Sequence, residues 1–454
     1  MTKGKILLVG LGPGAGEYMS LRARQAIAES DLVIGYSTYL KLIADLLDGK
    51  EVVRKGMTEE VDRCVEAYEQ ARTGKVVALV SSGDIGVYGM AGPTYEVLLQ
   101  SGWTPDSDIV VEVVPGTTAL SACASLAGAP LTHDFCAISL SDLLTPWPAI
   151  ARRIDVAGRG DFVVALYNPG SGRRRGQIRE ARRILLRYRR PDTPVAIVKS
   201  AYRDRQEVRI APLDQLVDGK IGMSTTVLIG NSSSYLRRGL MITPRGYGHK
   251  YDGITGAARQ GEKAGRSLSM GLDGWKACVR RFLHDNPGHS LRRVARYFEV
   301  PVGEILEAIG AAGGKDPAGA YTAVAVRHGG EADVLEEARE WGRLRAVVGN
   351  EAGAVSELLL DAAELRRRGD RLNLEHEHFH LHIDFSRVHG AWFLRRSDDL
   401  RGLYFTDAAE DLVFSLSLVR KDGRFEERGE RCFEQARERI IEQHPAGGEP
   451  VADL

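Results

Sequence analysis

Along the first half of the chain, short apolar runs stop at turns of glycine and small polar residues, and helical stretches fill the gaps. The runs are KILLVG (5–10), DLVIG (31–35), VVALVS (76–81), IVVEVVP (109–115), FVVALY (162–167), PVAIVK (194–199) and TTVLIG (225–230). Helical periodicity covers stretches such as Ser20–Ala28 and Gln177–Tyr188. That alternation predicts an α/β fold with largely parallel strands. Pro115-Gly116 is the best internal seam, which divides this half into two lobes, 1–115 and 116–248. From about Gly246 to Gly271 the chain turns polar and glycine-rich, and 249–272 is expected to be a linker.

The second half has a different rhythm. WKACVRRFLHD, HSLRRVARYFEV and VGEILEAIGAA predict three helices over 274–309, with Ser290 as an N-cap and Gly313-Gly314 ending the set. Strand-like segments follow: YTAVAVRH (321–328), RLRAVVGN (343–350), LNLEHEHFHLHIDF (372–385), AWFLRRS (391–397), LYFTD (403–407) and LVFSLSLVR (412–420). A closing helix is expected over about Cys432–Gln443. Residues 273–445 therefore form an appended α+β domain dominated by an antiparallel sheet.

Composition narrows the partners. A chain of 454 residues is too long for one ordinary core. Its 61 Lys plus Arg balance 61 Asp plus Glu, so bulk charge favours neither nucleic acid nor a membrane surface. The five cysteines are scattered, odd in number and never in a CxxC pair, which argues against a disulfide framework or a zinc ribbon. The opening apolar run is too short for a secretory signal, and no run approaches the ~18 residues of a membrane span. A soluble, cytoplasmic protein without a membrane partner is expected.

Candidate chemistry sits at the strand ends, where open α/β sheets bind ligands. After the first strand, Gly10, Gly12 and Ala15 fit the dinucleotide pattern G-x-G-x-x-G/A. Three features oppose that use. Helical periodicity begins only after Ser20, Pro13 removes a backbone donor, and Asp31 precedes the second strand whereas a ribose-binding acid would end it. After the third strand comes SSGDIGVYGMAG (81–92), whose glycines permit close backbone approach and whose Asp84 accepts hydrogen bonds.

Several loops taken together carry more. GLGPG, GYSTY (35–39), SSGDIGVYGMAG, VVPGTTALSACASLAGAPL (113–131), ALYNP (165–169) and STTVLIGN (224–231) resemble, in order and spacing, the class III tetrapyrrole methyltransferases. SGDIGVYGMAG, GAPLTHDFCAISLSDLLTPW (128–147), ALYNP and TPRGY (243–247) resemble its precorrin-3B/cobalt-factor III C17 branch, over about residues 3–248. Ile85, Thr117 and Ser20 depart from the residues common at their positions; Ser20 keeps a helix-capping hydroxyl.

The resemblance implies a two-lobed fold, S-adenosylmethionine as cofactor, a corrinoid tetrapyrrole as substrate, methylation at C17 with ring contraction in cobalamin biosynthesis, and a homodimer. It places Pro13, Ser82, Gly83, Asp84, Val87, Thr118, Ala119, Asn168 and Ala201 at cofactor contacts, with Thr225 and Thr226 as wall residues. A sulfonium cofactor carries no phosphate, so backbone groups, short hydroxyls and one acid suffice. Tyr36 falls where related enzymes place a catalytic acid, Lys55 near a second proton-transfer group, and His133 is a further candidate. Arg152, Arg153 and the run Arg173, Arg174 and Arg175 are candidates for pairing with substrate carboxylates. A sibling methyltransferase acting at another ring carbon, or a haem or corrinoid carrier, remains an alternative.

In LEHEHFHLHID, His376, His378, His380 and His382 alternate. On one strand, period two places all four on one face, spaced ~7 Å apart, suited to a metal or a flat tetrapyrrole. With REWGRL (339–344), this region resembles the haem-utilisation proteins of the HutX/ChuX type. That implies a domain handling haem, cobalt or a corrinoid. The helices at 275–312 also resemble a helix-turn-helix, but their arginines form no broader basic cluster, and a nucleic-acid partner is not expected.

Overall fold

The computed structural model describes residues 4–56, 59–171, 176–217, 221–311, 321–350, 353–376, 379–397 and 399–443. The chain divides into two compact units, Met1–Tyr247 and Gly248–Leu454.

The first unit opens with five strands, β1 (Lys5–Gly10), β2 (Leu32–Tyr36), β3 (Glu51–Lys55), β4 (Val76–Ser81) and β5 (Val110–Val114). They form one sheet in the order β3-β2-β4-β1-β5, every pair parallel. Helices α1 (Leu21–Glu29), α2 (Ser37–Leu40), α3 (Glu60–Arg72) and α4 (Ala91–Gln100) make the crossovers. The pleat explains why the central runs are apolar throughout. Ile6 and Leu8 of β1 pack into one core with Cys64, Ala67 and Leu98, whereas Leu7 and Val9 pack into another with Ala23, Ala26 and Ile27. Ser20 caps α1, its hydroxyl accepting from Ala23 N at 3.1 Å.

The second lobe contains α5 (Ala119–Ala127), β6 (Gly128–Ala129), β7 (Phe135–Ser139), α6 (Trp147–Arg159), β8 (Val163–Tyr167), α7 (Gln177–Leu185), β9 (Pro194–Lys199), β10 (Glu207–Pro212) and β11 (Thr225–Ile229). Its sheet runs β10-β9-β11-β8-β7. Here the expectation of largely parallel strands is corrected. Only β7 and β8 are parallel; β8–β11, β11–β9 and β9–β10 are antiparallel. The apolar runs look alike in both lobes because both sheets are covered on two faces, and that coverage, not strand direction, is what an unbroken hydrophobic run reports. Val195 and Ile197 face one core while Ala196 and Val198 face the other. Short strands β12 (Tyr235–Arg237) and β13 (Leu240–Ile242) close the lobe, with β13 parallel to β6. A one-turn helix α8 (Tyr247–Lys250) marks the boundary of the units.

The second unit begins with α9 (Leu272–Asp285), α10 (Leu291–Phe298) and α11 (Val302–Gly310). Ser290 caps α10 as its sequence predicts, accepting from Arg293 N. After β14 (Tyr321–Ala325) and α12 (Glu331–Ala338) come β15 (Arg343–Gly349), β16 (Val355–Asp361), β17 (Leu365–Arg368), β18 (Arg371–His376), β19 (Phe379–Asp384), β20 (Gly390–Arg396), β21 (Leu400–Thr406) and β22 (Leu412–Leu418), then α13 (Glu427–Gln443). Six strands form an antiparallel sheet, β14-β20-β21-β22-β15-β16. Trp341, Phe393, Phe405, Phe414 and Phe433 fill its core.

The histidine segment is not one strand. It is the hairpin β18–β19, in which His376 stands opposite Phe379 while His380 stands opposite Glu375 and His382 opposite Asn373. The four histidines therefore do not lie along one strand as expected: His376 ends β18, and His380 and His382 lie on its antiparallel neighbour β19. His378 lies outside the described residues. The His382 ring nitrogen Nδ1 is engaged by Asn373 Oδ1 at 2.7 Å. Among the described residues, no three His, Cys, Asp or Glu side chains are grouped to hold a metal ion.

Candidate active site

Three glycine-bearing loops at the carboxyl ends of the first sheet meet backbone to backbone. Gly12 and Gly83 exchange reciprocal hydrogen bonds, N–O 3.0 and 2.7 Å, and Leu11 N donates to Ser81 O at 2.9 Å. A Cβ on Gly10 would lie 2.7 Å from Gly116 N and 2.9 Å from Gly83 O. Glycine at 10 and 116 is thus needed for loop-on-loop contact, and at 12 and 83 for the backbone itself, with φ of +69° and +74°. The helix that follows β1 opens only at Leu21, so it does not start at this glycine loop, as the dinucleotide pattern requires.

Asp84 fastens the junction. Its Oδ1 accepts from Gly86 N at 2.7 Å and its Oδ2 from Gly116 N at 2.9 Å. Both carboxylate oxygens are therefore tied to backbone, one within its own loop and one on the loop after β5. From the second lobe, Arg203 reaches across. Its Nε donates to Pro13 O at 2.5 Å and its Nη2 to Ser82 Oγ at 2.6 Å.

The result is a solvent-open cleft of about 880 Å³. Pro13, Ser82, Gly83, Asp84, Val87, Thr118, Ala119, Asn168, Ala201, Thr225 and Thr226 all line it. Eleven positions singled out from separate loops thus fall on one wall system. The second lobe supplies its half through the ends of β8, β9 and β11. The Tyr167 hydroxyl accepts from Leu120 N at 2.8 Å and exchanges a hydrogen bond with Thr118 Oγ1 at 2.6 Å. Thr118 is the N-cap residue of α5 but makes no capping bond with its own side chain, so Tyr167 caps the helix in its place. Asn168 Nδ2 donates to Ser139 Oγ at 3.0 Å. Tyr88, Asn168 and Ser200 have φ of 50°, 49° and 50°, a left-handed backbone that non-glycine residues adopt at a cost of about 1–3 kcal/mol each and that clusters at ligand sites.

Burial sets the charge state of the walls. Desolvation pushes Tyr39, Tyr88 and Tyr167 above the ordinary phenol value and lifts the Cys123 thiol to about 11. These groups are neutral at pH 7. Desolvation also pulls Arg203 below its ordinary value. Among the described residues lining the cleft, Asp84 is the one acid and Arg203 the one arginine or lysine.

The remaining candidates lie off the lining. Tyr36 and Lys55 are register neighbours at the ends of β2 and β3. Tyr36 approaches the cleft through an edge-on ring contact with Tyr39, centroids 5.3 Å apart. His133 is exposed, its Nδ1 accepting from Asp134 N at 2.8 Å. Arg152 and Arg153 are exposed on α6, with Arg153 near enough to Tyr88 to act on its ionisation. Arg173, Arg174 and Arg175 lie outside the described residues. Sequence reasoning missed Tyr39, Tyr88, Tyr167, Cys123 and Arg203 as lining groups. Tyr88 and Tyr167 stand inside motifs already noticed, and Arg203 follows a predicted strand, where the strand-end rule would have found it.

Residues 5–217 match the family of Tetrapyrrole (Corrin/Porphyrin) Methylases. The cobalt-factor III methyltransferase of Priestia megaterium is 58% identical over 249 residues, 55% of this chain and 46% of that protein. The chain thus spans about half the length of that relative. The probable cobalt-factor III C(17)-methyltransferase of Salmonella typhimurium is 45% identical over 240 residues, 53% of this chain and 98% of that protein. The solved structure of the methyltransferase CobJ covers 53% of this chain and 100% of its own, with 34% identity and a TM-score of 0.50. The structure of ChuX covers 36% of this chain at 19% identity and a TM-score of 0.30, too slight a likeness to bear on function.

Proposed function

The chain belongs to the tetrapyrrole methylase family, and from that premise we propose that it methylates C17 of precorrin-3B or cobalt-factor III, with ring contraction, in cobalamin biosynthesis. The observation that carries this reading is the convergence of eleven family-implied positions on one cleft. The residues fit S-adenosylmethionine. The helix after β1 does not open on the glycine loop, and the cleft walls combine small side chains, hydroxyls and tyrosines with one acid and one guanidinium. When bound, that cofactor supplies an activated methyl group whose transfer to carbon leaves the bonding electron pair on sulfur.

The chain's own part is placement. Pro13, Ser82, Gly83, Asp84 and Val87 hold the cofactor from the first lobe, and Thr118, Ala119, Asn168, Ala201, Thr225 and Thr226 from the second. Cys123 stays a neutral thiol, since burial holds its pKa at about 11, and so does not compete with the substrate as a nucleophile. Tyr36, in ring contact with Tyr39 of the cleft wall, is the acid–base candidate of this reading, with Lys55 beside it in register. Arg153, beside Tyr88, is the nearer of the two α6 arginines for a substrate carboxylate.

A homodimer acting in the cytoplasm completes the proposal. Among the described residues, no helix is long and apolar enough to cross a membrane. The test is incubation of the full chain with S-adenosylmethionine and either macrocycle, followed by mass analysis and NMR assignment of the new methyl group. Addition at C17 is the expected result. Methylation at another ring carbon identifies a sibling enzyme, and no methylation of either macrocycle overturns the reading.

A further inference from the structure

Arg203 combines two properties. It is fixed in place, and it lacks a counter-charge. Its Nε and Nη2 donate to Pro13 O at 2.5 Å and Ser82 Oγ at 2.6 Å, both neutral acceptors. The cleft's one acid is not its partner: Asp84 is turned to Gly86 N and Gly116 N, and it is not among the groups that act on Arg203. The charged or ionisable groups that act on Arg203 from the packed elements are the Tyr39 phenol and the Cys123 thiol, both neutral. A half-buried guanidinium among neutral groups bears an uncompensated desolvation cost. A guanidinium has five N–H donors in a rigid fork, and these two bonds use two of them. The remainder belong to a side chain that lines the cleft.

We propose that Arg203 binds the carboxylate at the amino-acid end of the cofactor, while its bonds to Pro13 and Ser82 hold the fork in position for that contact. The inference rests on the cofactor reading above. It selects the cofactor's carboxylate over those of the macrocycle because both anchors, Pro13 and Ser82, are themselves assigned to cofactor contacts. An aligned Arg–carboxylate pair also fixes orientation, which a point charge does not.

The test compares S-adenosylhomocysteine with its decarboxylated analogue, which keeps the adenosine, sulfur and amine, by isothermal titration on the full chain. Wild-type protein is expected to prefer S-adenosylhomocysteine by ~10–100-fold, the range for one charge-assisted pair. Arg203→Met should remove that preference by weakening S-adenosylhomocysteine alone, with the analogue's affinity changed less than about threefold. Arg203→Lys should restore part of it, since the charge returns without the fork. Equal affinity of wild-type protein for the two ligands overturns the proposal even if no variant folds. Equal losses for both ligands in Arg203→Met overturn it too, leaving Arg203 as a latch between the lobes. Wild-type protein that binds neither ligand overturns the cofactor reading itself.

Discussion

Replacing Asp84 by asparagine isolates the loop junction from the rest of the fold. The carboxylate accepts Gly86 N at 2.7 Å and Gly116 N at 2.9 Å. Asparagine offers one acceptor, so one of those N–H groups must face an amide NH2. A hydrogen bond to a charged group contributes about 1.5–3 kcal/mol. Asp84 is half-buried, so water offsets part of the loss, and ~1.5–2 kcal/mol is expected. Because the loops on either side of that bond form the cofactor walls, the cost should appear as a ~10–30-fold weaker Kd for S-adenosylhomocysteine by isothermal titration. Asp31→Asn is the matched control. Its Oδ2 accepts Val76 N at 2.8 Å at the first residue of β4, at the opposite end of the strand from the cleft. It removes the same charge from an exposed carboxylate whose one N–H partner an amide oxygen can still serve, without touching the walls. An Asp84→Asn affinity within about threefold of wild type, or an equal loss in Asp31→Asn, would refute the claim that the carboxylate shapes the site by tying its loops.

Three further changes probe the same architecture. Gly116→Ala places a Cβ 2.3 Å from Gly83 O and 2.7 Å from Gly10 C, all backbone, so a cost of ~3 kcal/mol or more should lower the Tm by about 6–12 °C; Gly92→Ala, with nothing within 4 Å, should leave it unchanged. Tyr167→Phe leaves Leu120 N without its acceptor, and about 1–3 kcal/mol of lost stability should show as faster amide exchange at Leu120. Glu112 is held down to about 2 by its hydrogen bonds from Arg22 and then Lys5. Its stabilisation is therefore present above the ordinary carboxylate value and lost as pH falls from about 4.5 towards about 2. Solvent screening limits it to ~1 kcal/mol, so Glu112→Gln should melt lower than wild type at pH 7 and converge with it at low pH.

How much of this was legible in the chain depended on what each pattern physically reports. The apolar runs located β1, β2, β4, β5, β8, β9 and β11 because all are buried on at least one side by helices. They misled on direction in the second lobe, since hydrophobicity measures coverage and the sign of a strand is set by its connections. β3 and β10, at sheet edges, were missed: EVVRK and EVRIAP carry charges where solvent reaches them. The histidine segment failed for a related reason. Period-two alternation continues smoothly through a tight hairpin, so a run of alternating residues cannot reveal that the chain has reversed between His376 and His380.

The cofactor wall was legible for a different reason. In the first lobe its residues follow strands, and the parallel sheet delivers those strand ends to one edge; in the antiparallel second lobe the ends of β8 and β9 meet the start of β11. What could not be read was how those ends are joined. Asp84 reads as a hydrogen-bond acceptor for a ligand, and in the structure its two oxygens also accept backbone N–H groups of two loops. Arg203 resembles one more surface arginine in SAYRDRQ, yet it is drawn between Pro13 and Ser82. Both concern the same junction. The acid ties two loops of the first sheet, while the arginine, with no carboxylate among the groups that act on it, is drawn to neutral acceptors. Local sequence records the residue types that can make such bonds. Which of them are already occupied is decided by contacts across 32 residues for Asp84 to Gly116 and 190 for Arg203 to Pro13, and so belongs to the fold.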